Sequence, residues 1–306
     1  MKSLFAVCTL FLILPGCKTP NATQNTNKLN PVKLDAPLSG DKSLLWQISG
    51  KGLQQASYLF GTIHLIDQDR YFLGKNTLKK LQKSQELIME LDMENIDVAE
   101  LAKSSVLKEG TTVKDYMSDS DYTVLQKFMQ DSIGITRYNF ENGYAKFKPY
   151  YLEQLLFTRY MGQRNESYEI NLKKIAQDKN IPVSGLETYE EQLKFLDEIP
   201  LENQLRSLIS TIKNYQDETQ ELEKLIQLYT RQDLPGLAKA FEDEQDRNML
   251  EKLLDKRNTN WIPQIRKWVQ EKACFFAVGA GHLGGEQGII QLLRNQGYTV
   301  QPVSAD

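Results

Sequence analysis

Two apolar runs in this chain end in the same way. Tyr58-Leu59-Phe60 breaks at Gly61 and leads through Thr62-Ile63 to His64, and Cys274-Phe275-Phe276-Ala277-Val278 breaks at Gly279 and leads through Ala280-Gly281 to His282. These are the only two histidines in 306 residues. Apolar runs without polar alternation are what strands covered on both faces of a parallel sheet look like, and ligands of such sheets lie beyond the carboxyl ends of the strands. Two such strands can bring both histidines to one rim. Glycine ahead of each is expected to let the backbone leave the sheet, by a positive φ or by close approach to a neighbour. One strand-end histidine alone would be read as satisfied by a local hydrogen bond; the shared pattern makes the pair a candidate site.

The rest of the pattern supplies a sheet for these strands. A strand over 44–49, a turn at Gly50-Lys51-Gly52 and the Tyr58 run form a hairpin. After His64 come a polar loop at 67–70, a helix over 76–84 and a strand over 86–92, giving one βαβ unit with Glu90 and Asp92 at its end. Residues 181–187 form a further short strand ending in Glu187. The Cys274 run, a loop holding Gly284-Gly285 and Gly288, a helix over 286–295 and a strand over 298–303 make a second βαβ unit. Between these lie helical insertions near 97–179 and 190–270, with apolar residues at three- and four-residue steps and breaks expected at Pro200, at Pro235-Gly236 and near Pro263. The aromatics Tyr138, Phe140, Tyr144, Phe147, Tyr150 and Tyr151 read as core and interface. The fold class is therefore α/β, a mostly parallel sheet from two βαβ-type halves with large helical insertions.

A hydrophobic content of 41% is ample for a sizeable core, and a net charge of −3 with a pI near 5.7 leaves no basic footprint for nucleic acid. The first residues are different in kind. Lys2 precedes an apolar stretch over 4–14, too short to span a membrane, and then Leu14-Pro15-Gly16-Cys17. That tetrapeptide resembles the lipobox of bacterial lipoproteins, with Pro15 departing from the small residue usual there. The expectation is a signal peptide over 1–16, lipidation at Cys17, a solvated tether over 17–41 and a folded domain over 42–306. Lys18 rather than aspartate after the cysteine suggests the outer membrane, on its periplasmic face, if the host has two membranes. With Cys8 removed and Cys17 acylated, Cys274 is the remaining thiol, and its apolar neighbours make it a small core residue.

Five motifs occur in order: Gly61-Thr62-Ile63-His64, Glu90-x-Asp92, Gly185-Leu186-Glu187-Thr188 with Glu191-Gln192, Arg257-Asn258-x-x-Trp261, and Gly279-Ala280-Gly281-His282-Leu283. Together, over about 42–303, they resemble the TraB/GumN family, which belongs with Tiki-type metalloproteases and is distantly similar to erythromycin esterases and ChaN-type haem-binding lipoproteins. The resemblance implies an α/β fold in which paired Gly-x-x-His motifs and a glutamate form one site. Carried over by residue, His64, Glu90 and His282 are its core, with Glu187 and Arg257 as neighbours.

Three chemistries suit these residues. Two neutral imidazoles and a carboxylate, His64, His282 and Glu90, can hold Zn²⁺, Mn²⁺ or Co²⁺ with one position left for water, Glu187 serving as general base. Without metal, His64 can act as general base held by Glu90, with His282 or Arg257 stabilising an oxyanion. The same rim could instead bind a peptide or haem with no reaction. The expected partner is a peptide or small-molecule substrate, with the membrane reached through the lipid anchor.

Overall fold

The computed structural model describes residues 42–93, 97–162, 164–242 and 251–306. The expected signal peptide over 1–16, the expected lipidation site Cys17 and the expected tether lie outside the described residues. Eight strands are present among those described: β1 (Leu45–Ser49), β2 (Ser57–Thr62), β3 (Leu65–Asp67), β4 (Glu86–Leu91), β5 (Asn165–Ser167), β6 (Val183–Glu187), β7 (Cys274–Gly279) and β8 (Thr299–Val303). Six form one sheet in the order β6-β4-β7-β2-β1-β8, while β3 and β5 pair separately as a short antiparallel ribbon.

The four strands β6, β4, β7 and β2 run parallel, and β1 joins them antiparallel through the hairpin, whose turn residues Gly50, Lys51 and Gly52 all take positive φ. The two βαβ units interleave. The β7 strand of the second unit lies between β2 and β4 of the first, which makes the two Gly-x-x-His strands direct neighbours.

Alternation along these buried strands divides the interior in two. Phe60, Leu87, Met89, Phe275 and Ala277 face one core, under the helices Pro149–Met161, Tyr168–Asp178, Leu201–Lys213 and Tyr215–Thr230. Leu59, Ile88, Phe276 and Val278 face the other, with Trp261 and Ile265 of the helix Lys256–Glu271 and Ile289 and Leu293 of the helix Ile289–Asn295. Both faces are thus covered by helices, the reason these strands read as continuous apolar runs. Cys274 is wholly buried, and burial pushes its thiol up to about 12.

Three expectations are corrected. The helix Lys256–Glu271 passes through Pro263 without ending there; Pro263 and Thr259, whose carbonyl loses its partner, both face solvent, where water can satisfy the group. Tyr138 is exposed at 73%, unlike the buried Phe140, Tyr150 and Tyr151. The segment after His64 contains β3 rather than only a loop. No helix among the described residues is long and apolar enough to cross a membrane.

Candidate functional site

The register of the parallel strands sets the site. Thr62 pairs with Gly279, Met89 with Ala277 and Leu91 with Glu187, so the ends of β2, β7, β4 and β6 form one row across the sheet. His64, Glu90, Glu187 and His282 all come to this row, and Arg257 reaches it from the helix Lys256–Glu271. All five are buried.

His64 is held in a strained backbone. Its φ is +57°, in the left-handed region that non-glycine residues rarely enter, and Leu65 N–H donates to Ile63 O at 2.6 Å across it. The β3–β5 ribbon fixes this turn, since Tyr168 N–H donates to His64 O at 2.9 Å. The same segment supplies Glu169, whose Oε1 lies 2.8 Å from His64 Nδ1. The other ring nitrogen, Nε2, lies 3.8 Å from Glu90 Oε1.

His282 stands in a short turn, Ala280–His282. Its Nδ1–H donates to Asn258 Oδ1 at 2.7 Å; Asn258 Nδ2 donates to Gln287 O, which fixes the amide orientation and with it the tautomer. Trp261 packs on the ring at 4.5 Å between centroids. His282 Nε2 therefore keeps its lone pair, which faces Arg257 Nη1 at 3.1 Å and Glu90 Oε1 at 3.6 Å.

Arg257 ties the carboxylates together. Its Nη2 donates to Glu90 Oε2 at 2.8 Å and to Glu187 Oε1 at 2.7 Å, its Nε also donates to Glu187, and Nη1 reaches Leu253 O at 3.0 Å. Glu187 further accepts from Trp261 Nε1 and Gln192 Nε2. Both Glu187 oxygens are thereby committed to anchoring Arg257. Arg257 and Trp261, four residues apart, share one helix face, with the guanidinium stacked on the indole.

Burial and neighbours sort the protonation states. Burial, reinforced by Arg257 and His64, lowers His282 to about 3 against the pull of Glu90, so it is a neutral imidazole near pH 7. Burial also disfavours a charged His64, but the carboxylates of Glu169 and Glu90 outweigh it and raise its pKa. For Glu90, burial is outweighed by His282, Arg257, His64 and the Gly279 N–H, which hold the carboxyl at about 2. Burial raises Glu187 despite Arg257.

The glycines act by close approach, since neither Gly61 nor Gly279 has positive φ and it is His64 that does. A Cβ on Gly279 would lie 3.1 Å from Glu90 Oε1 and 3.2 Å from His64 Nε2. The next neighbour of that Cβ would be His282 Cδ2 at 3.6 Å, so Gly279 lies beside all three side chains. Two imidazole Nε2 atoms and one carboxylate oxygen directed inward, in a site with three carboxylates to one guanidinium, are donor chemistry suited to a divalent cation. As they stand, no three His, Cys, Asp or Glu side chains among the described residues are set to hold a metal; Arg257 engages His282 and Glu90 in their place. A cleft of about 530 Å³, lined in part by Phe241, Leu254, Asp255, Asn258 and Gly281, borders the His282 side.

All five predicted site residues are brought together. Sequence reasoning missed Glu169, the role of Asn258 and the seating of Trp261 on His282. Asn258 and Trp261 carried a signal through their spacing from Arg257; Glu169 carried none, lying in a segment read only as helical insertion.

A family model described as TraB/PrgY/gumN family matches residues 44–302. Uncharacterized protein YbaP of Shigella flexneri is 25% identical over 241 residues, covering 78% of this chain and 88% of that protein. YbaP of Escherichia coli (strain K12) is 25% identical over 240 residues, covering 78% and 87%. Metalloprotease TIKI2 of Xenopus tropicalis is 22% identical over 317 residues, covering 86% of this chain and 60% of that protein. No solved structure matches significantly.

Proposed function

The chain belongs to the TraB/PrgY/gumN family, and from that premise and the geometry of its site we propose that it is a metal-dependent hydrolase of the peptidase class. The observation that carries the reading is the convergence of His64 Nε2 and His282 Nε2 on one oxygen of Glu90, at 3.8 and 3.6 Å, with Nδ1 of each ring engaged by an outer partner. Likeness to a protein named Metalloprotease TIKI2 supports the substrate class.

His64, Glu90 and His282 would hold Mn²⁺, Co²⁺ or Zn²⁺, and such an ion supplies Lewis acidity toward a substrate carbonyl. The chain's own residues do the rest. Glu90, ionised throughout the physiological range, supplies the charge on which the imidazoles converge. Arg257 is oriented by Glu187 and Trp261 with its Nη1 facing the His282 and Glu90 side, where it can donate to negative charge developing on a substrate oxygen. Glu187 acts through Arg257 rather than as a base, because its oxygens already accept from Arg257, Trp261 and Gln192.

The direct contacts of Arg257 with His282 and Glu90 favour a second reading, a metal-independent esterase-like hydrolase with Arg257 as oxyanion partner. In both readings the domain is exported and lipid-anchored to the cell envelope through Cys17. The test is metal content of the purified protein, then cleavage of a peptide library before and after chelation and after return of Mn²⁺, Co²⁺ or Zn²⁺. Cleavage abolished by chelation and restored by one ion is expected; cleavage indifferent to chelation moves the assignment to the second reading, and ester hydrolysis without peptide cleavage removes the peptidase class.

A further inference from the structure

We infer that Glu169 is the positioning residue that holds His64 as its Nδ1–H tautomer, turning the Nε2 lone pair toward Glu90 and His282. The inference rests on the reading above in that it assigns His64 a task at Nε2. Glu169 Oε1 accepts from both the Thr62 hydroxyl at 3.0 Å and the His64 ring at 2.8 Å, and Oε2 accepts from the Ser167 hydroxyl at 3.3 Å. A carboxylate has only acceptors, so the proton shared with His64 belongs to Nδ1, and in the neutral ring the lone pair is on Nε2.

The carboxylate is itself fixed. It sits in the first turn of the helix Tyr168–Asp178, where the helix dipole favours negative charge, and Ser167 caps that helix by accepting from Ile170 N–H. Thr62 ends β2 and Ser167 ends β5, so Glu169 is tied to the strand that delivers His64 and to the ribbon that clamps its backbone. The Tyr168 N–H bond to His64 O adds a main-chain tie one residue away. Side chain and main chain of His64 are thus both set from residues 167–169. His282 has a matching outer partner in Asn258, so each ring has one nitrogen held by the scaffold and the other turned into the site.

With only two histidines in the chain, nitrogen-15 NMR of the full-length, metal-free protein reads each ring separately. In alkaline buffer, where both rings are neutral, wild-type His64 is expected as the Nδ1–H form. Glu169→Ala, and Glu169→Met as a variant that keeps side-chain bulk, should shift His64 to the Nε2–H form that an unconstrained histidine side chain prefers, with the His282 signals unchanged as the folding control. Glu169→Gln, whose amide oxygen still accepts, should retain Nδ1–H. In a parallel titration with Co²⁺, loss of the acceptor should weaken binding by roughly 10- to 100-fold. An unchanged His64 tautomer in the Ala and Met variants, or its loss in the Gln variant as well, overturns the inference. Wild-type protein that has the Nδ1–H tautomer but does not bind Co²⁺ sustains the role of Glu169 and refutes the metal reading instead.

Discussion

Arg257 Nη1 lies 3.1 Å from His282 Nε2, a cation donating to the lone pair that a metal would also use. On the metal reading the two would compete for one nitrogen. Glu187 holds the opposite edge of the guanidinium through Nε and Nη2.

The first expectation concerns that guanidinium. Removing it by Arg257→Ala leaves Glu90 and Glu187 buried without their cation, and breaking a buried pair in this way costs about 3–5 kcal/mol. Urea unfolding of the variant should show a loss of this order. Lysine at 257 cannot reproduce the fork that reaches both carboxylates and should recover only part. A loss under about 1 kcal/mol for the alanine variant would mean the pairing is not structural.

A methyl group discriminates the two strand-end glycines. At Gly279 it enters the space between Glu90 Oε1 and His64 Nε2, so Gly279→Ala should lower activity or Co²⁺ affinity by roughly tenfold or more while folding persists. At Gly61 it meets Leu283 Cδ1 at 2.9 Å and Ala280, so Gly61→Ala should cost about 1–3 kcal/mol of stability by overpacking. Paired melting and Co²⁺-binding curves separate these outcomes; the same defect in both variants would contradict it.

Acid should destabilise the metal-free protein through His282. Its folded pKa of about 3 lies below the unfolded 6.5, so its contribution is complete above 6.5 and is lost as pH falls toward 3. Glu90, lowered from 4.5 to about 2, adds a loss only below 4.5. His64, with a raised pKa, contributes fully below 6.5 and loses its contribution only as pH rises through its folded value, so it adds no slope in acid. Glu187, with a raised pKa, gains as pH falls toward 4.5 and opposes this trend. Between about pH 6 and 4.5 the His282 share of the unfolding free energy should fall by roughly 1 kcal/mol per pH unit, so His282→Gln should make the slope less acid-destabilising by that amount. An equal slope in the variant would show that His282 is not buried as a neutral ring.

Cys17→Ser should release the chain from membranes to the soluble fraction, since serine receives no lipid and the anchor works through buried CH₂ groups. Fractionation of cells expressing each form measures this. Continued membrane association of the variant would end the lipoprotein reading.

The sheet was legible where burial on both faces leaves an uninterrupted apolar run, as in 58–60 and 274–278, and the site was legible where chemistry ends such a run, as at His64, Glu90, Glu187 and His282. Interleaving of the two βαβ units was not, because pairing between strands so far apart in the chain, as in Glu86 with Cys274 and Tyr58 with Phe275, has no local signature. The β3–β5 ribbon was hidden for another reason: three-residue strands of mixed polarity, such as Asn165–Ser167, carry no periodicity. Glu169 went with it. Pro263 misled because the buried Trp261, Ile262 and Ile265 hold the helix on both sides of it, while the Thr259 carbonyl that it crowds and frees is on the solvent side.

The most direct measurement compares His64→Ala, His282→Ala and the double variant for Co²⁺ binding and peptide cleavage, with melting temperature as control. The account predicts that either single substitution abolishes most of both functions, that the double variant loses little more, and that all three remain folded, because groups acting on one centre are not additive. Independent, additive losses, or full activity in either single variant, would contradict a shared site.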